Sequence, residues 1–345
     1  MASSWADLYR QDPRATPYQS SAWLTGWARE LPPAARPVVA LCEGPARQIL
    51  AALPLVDDRA GTSPRTYALS APMGEYVRAV GPAAEDPWVS ASLARHLERL
   101  AFDGHRVDLA GVPADCALAR ELAPAGPARE RPWRTRVLDH AEISLPLSYA
   151  QMSRSTRREH TRRQRTWDEL ARFHKVTYRR TRDSDELLTA YAVLARLHAL
   201  RWTGHTTPTG SPHTPDAPHW PAVLRHCGAD MAFIATLALD GDIVAAQLCL
   251  TRHDRAYSVV PAINPLHKDL APGHALLRHL AQDLATDGYA YLDLGRTVPG
   301  QHAYKDQYRP RWSETLSAVS TPLCADPDTP NQPVRLPDPR ALFTP

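Results

Sequence analysis

The chain has 345 residues, 43% of them hydrophobic and 22% charged, with a formal net charge of +3. That is apolar material for more than one core, so two domains are the first expectation. So small a charge gives no broad basic footprint for nucleic acid, and no run approaches the roughly 18 apolar residues of a membrane span.

The amino terminus, MASSWADLYRQD, lacks the basic and apolar segments of a secretion signal. Five cysteines (Cys42, Cys116, Cys227, Cys249 and Cys324) are scattered and form no C-x-x-C pair. An odd, dispersed set reads as reduced thiols, so a cytoplasmic location is expected, with no membrane partner.

In chain order, a short helix is predicted over Ser20–Glu30, then strands over Pro37–Cys42 and Gln48–Val56 around the Glu43-Gly44 turn. A weakly patterned, proline- and glycine-rich stretch leads to a helix over Trp88–Phe102, with Leu93, Leu97 and Leu100 on one face. Asp103-Gly104 ends that helix, and His105–Leu109 reads as a strand. Prolines, glycine and charges then mark a linker, placed at 126–140.

The second half opens with LPLS at 145–148 and a basic helix from about Thr156 to Leu170, with Thr156 and Glu159 spaced as a capping box. A strand over Lys175–Arg180 and a helix from Ser184 to about Leu200 follow. A proline-rich loop, 207–218, and a short helix over Trp220–His226 come next. Two strands, Met231–Leu239 and Ile243–Leu250, flank Asp240-Gly241-Asp242, a hairpin signal because the glycine can take positive φ. Another strand, Ala256–Ile263, precedes a helix over Gly273–Thr286 and a strand over Tyr289–Leu294. The tail, 321–345, is proline-rich and lacks apolar periodicity.

HLERLAFDGHRVDLAG at 96–111 parallels HLAQDLATDGYAYLDLG at 279–295, each a helix, an Asp-Gly stop and a strand. Each also follows a strand–turn–strand unit. Coincidence or two similarly built α/β units in tandem would both explain this, and alternating strand pairs and helices imply mixed sheets covered by helices.

Several stretches carry a resemblance: LPLSYAQMSRSTRREHTRRQR at 145–165, LHALRW at 197–202, LDGDIVAAQLCL at 239–250, LAPGHALLRHL at 270–280 and YLDLGRTVPGQHAYKDQYRPRW at 291–312. Together they resemble the BioF2-like, cellulose-biosynthesis type of acetyltransferase domain in the GCN5-related N-acetyltransferase (GNAT) superfamily. YQSSAWLTGWARE at 18–30 is similar to the start of the smaller domain that such proteins carry. The Fem-like aminoacyl-tRNA-dependent transferases, a related group, use two such domains in tandem. The resemblance implies an α/β fold of two tandem acyltransferase-like lobes with mixed, mainly antiparallel sheets covered by helices. The first lobe, 1–125, would be degenerate; 126–140 would link it to an acyltransferase domain at 141–320.

It also implies an N-acyltransferase that moves an acyl group from an acyl-coenzyme A donor to a small-molecule amine by direct attack, with no tightly bound cofactor. An aminoacyl-tRNA donor and a non-catalytic binding protein are the alternatives. Superfamily members hold the coenzyme pyrophosphate with Arg or Gln, two residues, Gly, one residue, then Gly or Ala. Here the segment is KDLAPG; Lys268, Ala271 and Gly273 keep the spacing, but two identities differ.

The helix begun by Gly273 and His274 offers unpartnered amides and a dipole to a phosphate, with Lys268 and Lys305 as nearby cations. Arg154, Arg158, Arg162 and Arg165 form one stripe, with Arg157 and Arg163 beside it; it is either a solvated face or a surface for polyphosphate or tRNA. Asp293, near the end of a sheet strand, could orient an acceptor ammonium or a histidine. His198 is either a core histidine or a general base, and Tyr304 either packs its ring or protonates a departing thiolate. Lys305 could also stabilise a tetrahedral intermediate. No G-x-S-x-G occurs, and the histidines have no metal-site spacing, so neither a serine hydrolase nor a metal enzyme is expected.

Overall fold

The computed structural model describes residues 5–61, 63–70, 74–123, 132–202, 219–297 and 302–320. In chain order the elements begin with α1 (Trp5–Gln11), α2 (Ser21–Arg29), β1 (Ala35–Glu43), β2 (Ile49–Asp58), β3 (Arg65–Ala68) and α3 (Pro87–Phe102). They continue with β4 (Arg106–Pro113), α4 (Ala117–Leu122), β5 (Trp133–Ser144), α5 (Arg154–Leu170), β6 (Val176–Arg180) and α6 (Ser184–Trp202). The remainder are α7 (His219–Met231), β7 (Ala232–Leu239), β8 (Asp242–Arg252), β9 (Arg255–Ile263), α8 (Pro272–Thr286), β10 (Tyr291–Thr297), α9 (His302–Asp306) and β11 (Arg311–Ser320). The chain divides into two compact units, Met1–Asp139 with the segment that returns from Glu314, and His140–Ser313.

The first unit orders its strands β1-β2-β3-β4-β11. All pairs are antiparallel except β3 and β4, which run parallel and are connected through α3. Ser20 caps α2, its hydroxyl accepting from the Trp23 amide at 3.1 Å. That cap aims Trp23 and Trp27 inward, where Trp23 meets Tyr18 edge-on at 5.2 Å. Asp86 caps α3, and Leu93 and Leu97 of that helix are buried.

The second unit orders its strands β5-β10-β9-β8-β7-β6. The β7–β8 hairpin turns on Asp240 and Gly241, both at positive φ (51° and 95°), the primed geometry that suits the twist of paired strands. Alternation places Phe233, Ala235 and Leu237 of β7, Ala256 of β9, and Leu292 and Leu294 of β10 on the face covered by α8, through Leu276, Leu277, Leu280 and Leu284. Helix α6 contacts β7, β8 and β9 but contributes no residue to that cluster, so it covers the other face. Both faces are therefore buried, which explains why these strands read as near-continuous apolar runs.

Three sequence expectations are corrected. The linker expected over 126–140 is strand from Trp133 onward; its arginines and aspartate hide a ladder whose inward residues are His140, Ala141 and Ile143. The boundary expected at 320 falls earlier, because Thr315–Val319 pair antiparallel with Pro113–Asp108 of the first unit. Pairing across some two hundred residues leaves no local signal. Helix α5 starts at Arg154, not Thr156: Ser153 is the cap and accepts from the Thr156 amide at 3.1 Å. A cap of this kind contributes about 1 kcal/mol. Glu159 does not complete a capping box; it pairs with Arg162 and Arg163 at 2.7 and 2.8 Å.

Candidate functional site: a fork between two parallel strands

Strands β9 and β10 pair over three residues only, Tyr291 with Arg255, Leu292 with Ala256 and Asp293 with Tyr257. Both then continue, β9 to Ile263 and β10 to Thr297, without pairing with each other, so they part into a fork. The cause is local. Between Leu248/Val260 and Cys249/Ser258 the β8–β9 register skips Val259, a bulge that bends β9 where β10 leaves it. Pro261 follows in the diverging half of β9, and proline, which lacks an amide hydrogen, is tolerated where a strand is an edge.

Beyond the fork a short 3-10 turn, Pro265–Leu270, leads to Ala271 at φ 50° and into α8 with Pro272 at its first position. The N-cap residue, Ala271, has no side chain that could cap this N-terminus. Gly273 packs so closely that a Cβ there would lie 3.3 Å from Ile263 Cγ2. An uncapped helix start beside a glycine is a surface onto which an anion can settle.

At the fork's apex lies a buried polar cluster on the face opposite α8. The Asp293 carboxylate accepts from the Gly295 amide at 2.7 Å and lies 3.4 Å from His140 Nδ1; Asp293 is 1% exposed and His140 fully buried. Tyr257 stands across from Asp293, its hydroxyl held protonated chiefly by burial and also by the Asp293 charge. Glu142 pairs with Arg255 at 3.0 Å. Burial raises the Glu142 carboxyl, with Arg255 opposing and Asp293 reinforcing the shift. His198 is half-buried on α6, the helix on this same face.

The mouth of α8 carries a different group. His274 shares a hydrogen bond through Nδ1 with the Tyr308 hydroxyl, and the Tyr304 ring lies 5.0 Å from the His274 ring. His160 of α5 meets the Tyr308 ring edge-on at 5.3 Å. Burial first, then the positive charges of Arg163 and His160, push the His274 imidazole down to about 4, so it is neutral near pH 7. Lys305 donates to the carbonyls of Gly295 and Arg296 at 2.7 and 2.8 Å, which ties α9 to the end of β10.

The sequence-predicted residues thus fall into groups. Asp293 is at the apex, with His198 on the helix covering that face; Gly273, His274 and Tyr304 gather at the start of α8, and Lys305 holds the end of β10 between them. Lys268 is exposed in the turn before α8. Arg154, Arg158 and Arg162 lie exposed along α5 and line a shallow surface with Arg165. Sequence reasoning missed His140, Tyr257 and His160. His140 lay in the expected linker, and Tyr257 in a strand whose bulge only the register reveals. Among the described residues no group of three or more His, Cys, Asp or Glu is placed to hold a metal ion, and no helix is long and apolar enough to cross a membrane.

Residues 154–306 match the family model of an acetyltransferase (GNAT) domain. No curated protein matches the chain by sequence. A protein of unknown function from Bacteroides thetaiotaomicron VPI-5482 aligns with a TM-score of 0.58 at 14% identity, over 93% of this chain and 99% of that one. FemX aligns with a TM-score of 0.59 at 11% identity, over 92% of this chain and 96% of the other. L-PGS from Bacillus licheniformis aligns with a TM-score of 0.55 at 14% identity, over 92% and 90%. At such identities the likeness is one of fold. Residues 154–306 match an acetyltransferase (GNAT) domain, and the chain as a whole has a fold like that of FemX.

Proposed function

We propose that the second unit transfers an acyl group from an acyl-coenzyme A thioester to the amine of a small molecule by direct attack. The observation that carries this reading is the fork. Its diverging edges are backbone that an extended donor arm could join as an added strand, and its mouth lies beside the uncapped start of α8, where a pyrophosphate would be favoured. The acyl carbonyl would then rest near the apex, close to Asp293 and Tyr257.

In this reading Gly273 lets the phosphates approach the α8 amides, with Lys268 as an exposed cation nearby. Asp293, locked by the Gly295 amide, is a positioning residue that orients His140 and shapes the end of β10. Lys305 positions the same strand end through its two carbonyls. Tyr304 is the candidate acid for the departing thiolate, and His198 the candidate base on the acceptor side. The amine loses a proton, attacks the carbonyl, and the tetrahedral intermediate expels the thiolate, which takes up a proton.

A second reading, aminoacyl transfer from tRNA, is favoured by the exposed arginine face of α5 and by the Fem-like resemblance. The purified chain should be assayed with a panel of acyl-coenzyme A donors and with aminoacyl-tRNA, at two salt concentrations. Acyl transfer from the thioester with weak salt dependence supports the first reading. Amino-acid transfer that falls steeply with salt, as many phosphate contacts require, and no turnover of thioesters would replace it with the second.

A further inference from the structure

A cavity of about 460 Å³ lies between α5 and α8, lined by residues on their facing sides and on the segment before α5, with no part of the fork in its lining. Its size falls in the range of small-molecule sites, roughly 300–1,000 Å³. Two guanidiniums line it, and their partners are telling. Arg278 shares a contact of 3.4 Å with the His279 ring, and Arg157 donates to the Ala150 carbonyl at 3.2 Å. Among the described residues neither has a carboxylate partner, whereas Arg162 and Arg163, one turn along α5, share Glu159. The groups whose charge Arg278 feels are Tyr149 first and then Asp168, and the Asp168 carboxylate already accepts from Gln164 at 2.7 Å. Burial pushes the half-buried Arg278 guanidinium down, a cost that an anion beside it would offset.

The remaining wall suits a flat ring. Tyr149 and His160 stand edge-to-face at 5.5 Å, and Leu147 and Ala281 add apolar surface. The Gln164 and Gln282 amides can meet the polar edge of a heterocycle. Arg157 and Thr161 also belong to the neighbouring arginine-lined surface, so a charged group can extend from the cavity onto it.

We propose that the cavity between α5 and α8 is a site for a nucleoside phosphate, its base against Tyr149 and His160 and its phosphate on Arg157 and Arg278. Two sources share this chemistry: a free nucleotide and the nucleotide end of a coenzyme A donor. The second rests on the proposed acyl transfer; the first does not.

The test is calorimetric titration of the full chain with adenosine 3′,5′-bisphosphate, AMP, coenzyme A and inorganic phosphate, repeated on Arg278→Gln, Arg157→Gln and Thr161→Trp. Thr161 is exposed at the rim, so a tryptophan there fills the cavity without entering the core. Each arginine change should weaken nucleotide binding about tenfold, as loss of a charge-assisted contact does, and Thr161→Trp should weaken it at least as much. Unchanged thermal midpoints would show that the variants fold. Coenzyme A and adenosine bisphosphate that displace each other point to the donor as source. If the two bind together, and only the bisphosphate responds to the substitutions, the source is a free nucleotide. No binding of either at millimolar concentration, or variants that bind like the parent, would overturn the proposal. Because the readout is binding, a chain inactive in acyl transfer can still pass, and an active one can fail.

Discussion

Asp293 and Tyr257 form the last pair of the parallel β9–β10 ladder, and the first unit closes its own three-pair parallel ladder on the same residue types, Asp108 across from Tyr67. Each aspartate strand follows a helix that ends in Asp-Gly, with Gly104 and Gly288 both at φ 88°. In each, the amide after the glycine reaches back to a helix carbonyl, His105 to Leu100 and Tyr289 to Leu284. The repeat in the sequence is therefore a repeat in structure. The copies diverge in what the aspartate meets. Asp108 is neutralised by Arg65 and Arg106 at 3.1 and 3.3 Å, whereas Asp293 meets a backbone amide and the His140 ring.

That divergence predicts opposite outcomes for one substitution made twice. Asp108→Asn leaves two arginines without their buried countercharge and should lower stability by about 1–3 kcal/mol, with acyl transfer little changed. Asp293→Asn can keep the bond from the Gly295 amide but loses the charge beside His140. Its kcat/KM should fall at least about tenfold while its unfolding midpoint moves less than that of Asp108→Asn. Urea unfolding and a steady-state assay on both proteins check this; equal activity of Asp293→Asn and parent at several pH values would remove Asp293 from the machinery.

Gly273 gives a graded test of the α8 mouth. An alanine Cβ there would meet one Ile263 methyl at 3.3 Å, a side-chain atom that can shift, so Gly273→Ala should be nearly neutral for stability. Gly273→Val adds two methyls beside the first amides of α8. Donor KM should rise about tenfold in the valine variant with kcat less affected, because the loss is one of binding. A lost kcat with unchanged KM would argue against phosphate contact at this helix start.

Much of this was legible in the sequence. The β7–β8 hairpin announced itself through Asp240-Gly241, and α8 through the spacing of Leu276, Leu277, Leu280 and Leu284. The fork was not legible, because it arises from one skipped residue, Val259, which has the same side chain as Val260 beside it and differs only in register. Pro261 was the available hint. His140 was hidden for a related reason: a strand of arginines and aspartate has no apolar alternation, and its partner β10 is far away in the chain. Asp293 stood out by its place near a strand end, but its 2.7 Å bond to Gly295 and its burial were not readable.

His274 predicts a pH dependence of stability. Its folded value, about 4, lies below the ordinary histidine value of 6.5. Between those values the unfolded chain binds the proton more readily, so the neutral ring's contribution is complete above pH 6.5 and is lost as pH falls toward 4. The depressed carboxylates of Asp57, Asp240 and Glu159 act in the same direction at lower pH. Their part is separated by comparison with His274→Asn, whose side chain can still meet the Tyr308 hydroxyl. Parent and variant unfolded in urea at pH 7 and pH 5 should differ, the parent losing more stability. Equal losses would mean that His274 titrates normally.

The cysteines predict the course of the reaction itself. A covalent acyl-enzyme route needs a thiolate, and its supply depends on a low pKa and on access. Cys42, Cys116, Cys227 and Cys249 are all buried. Burial is the first cause raising each thiol, Cys227 up to about 12, and no cationic partner reverses it. Cys324 lies outside the described residues and is the one thiol left to examine by substitution. We therefore expect Cys324→Ser to retain parental kcat, and iodoacetamide at pH 7.5 to leave that variant active over the hours in which a small reactive thiol is fully alkylated. Mass spectrometry after rapid quenching should find no acyl adduct on the chain during turnover. An acylated cysteine that forms and decays at the rate of turnover would replace direct attack with a two-step transfer.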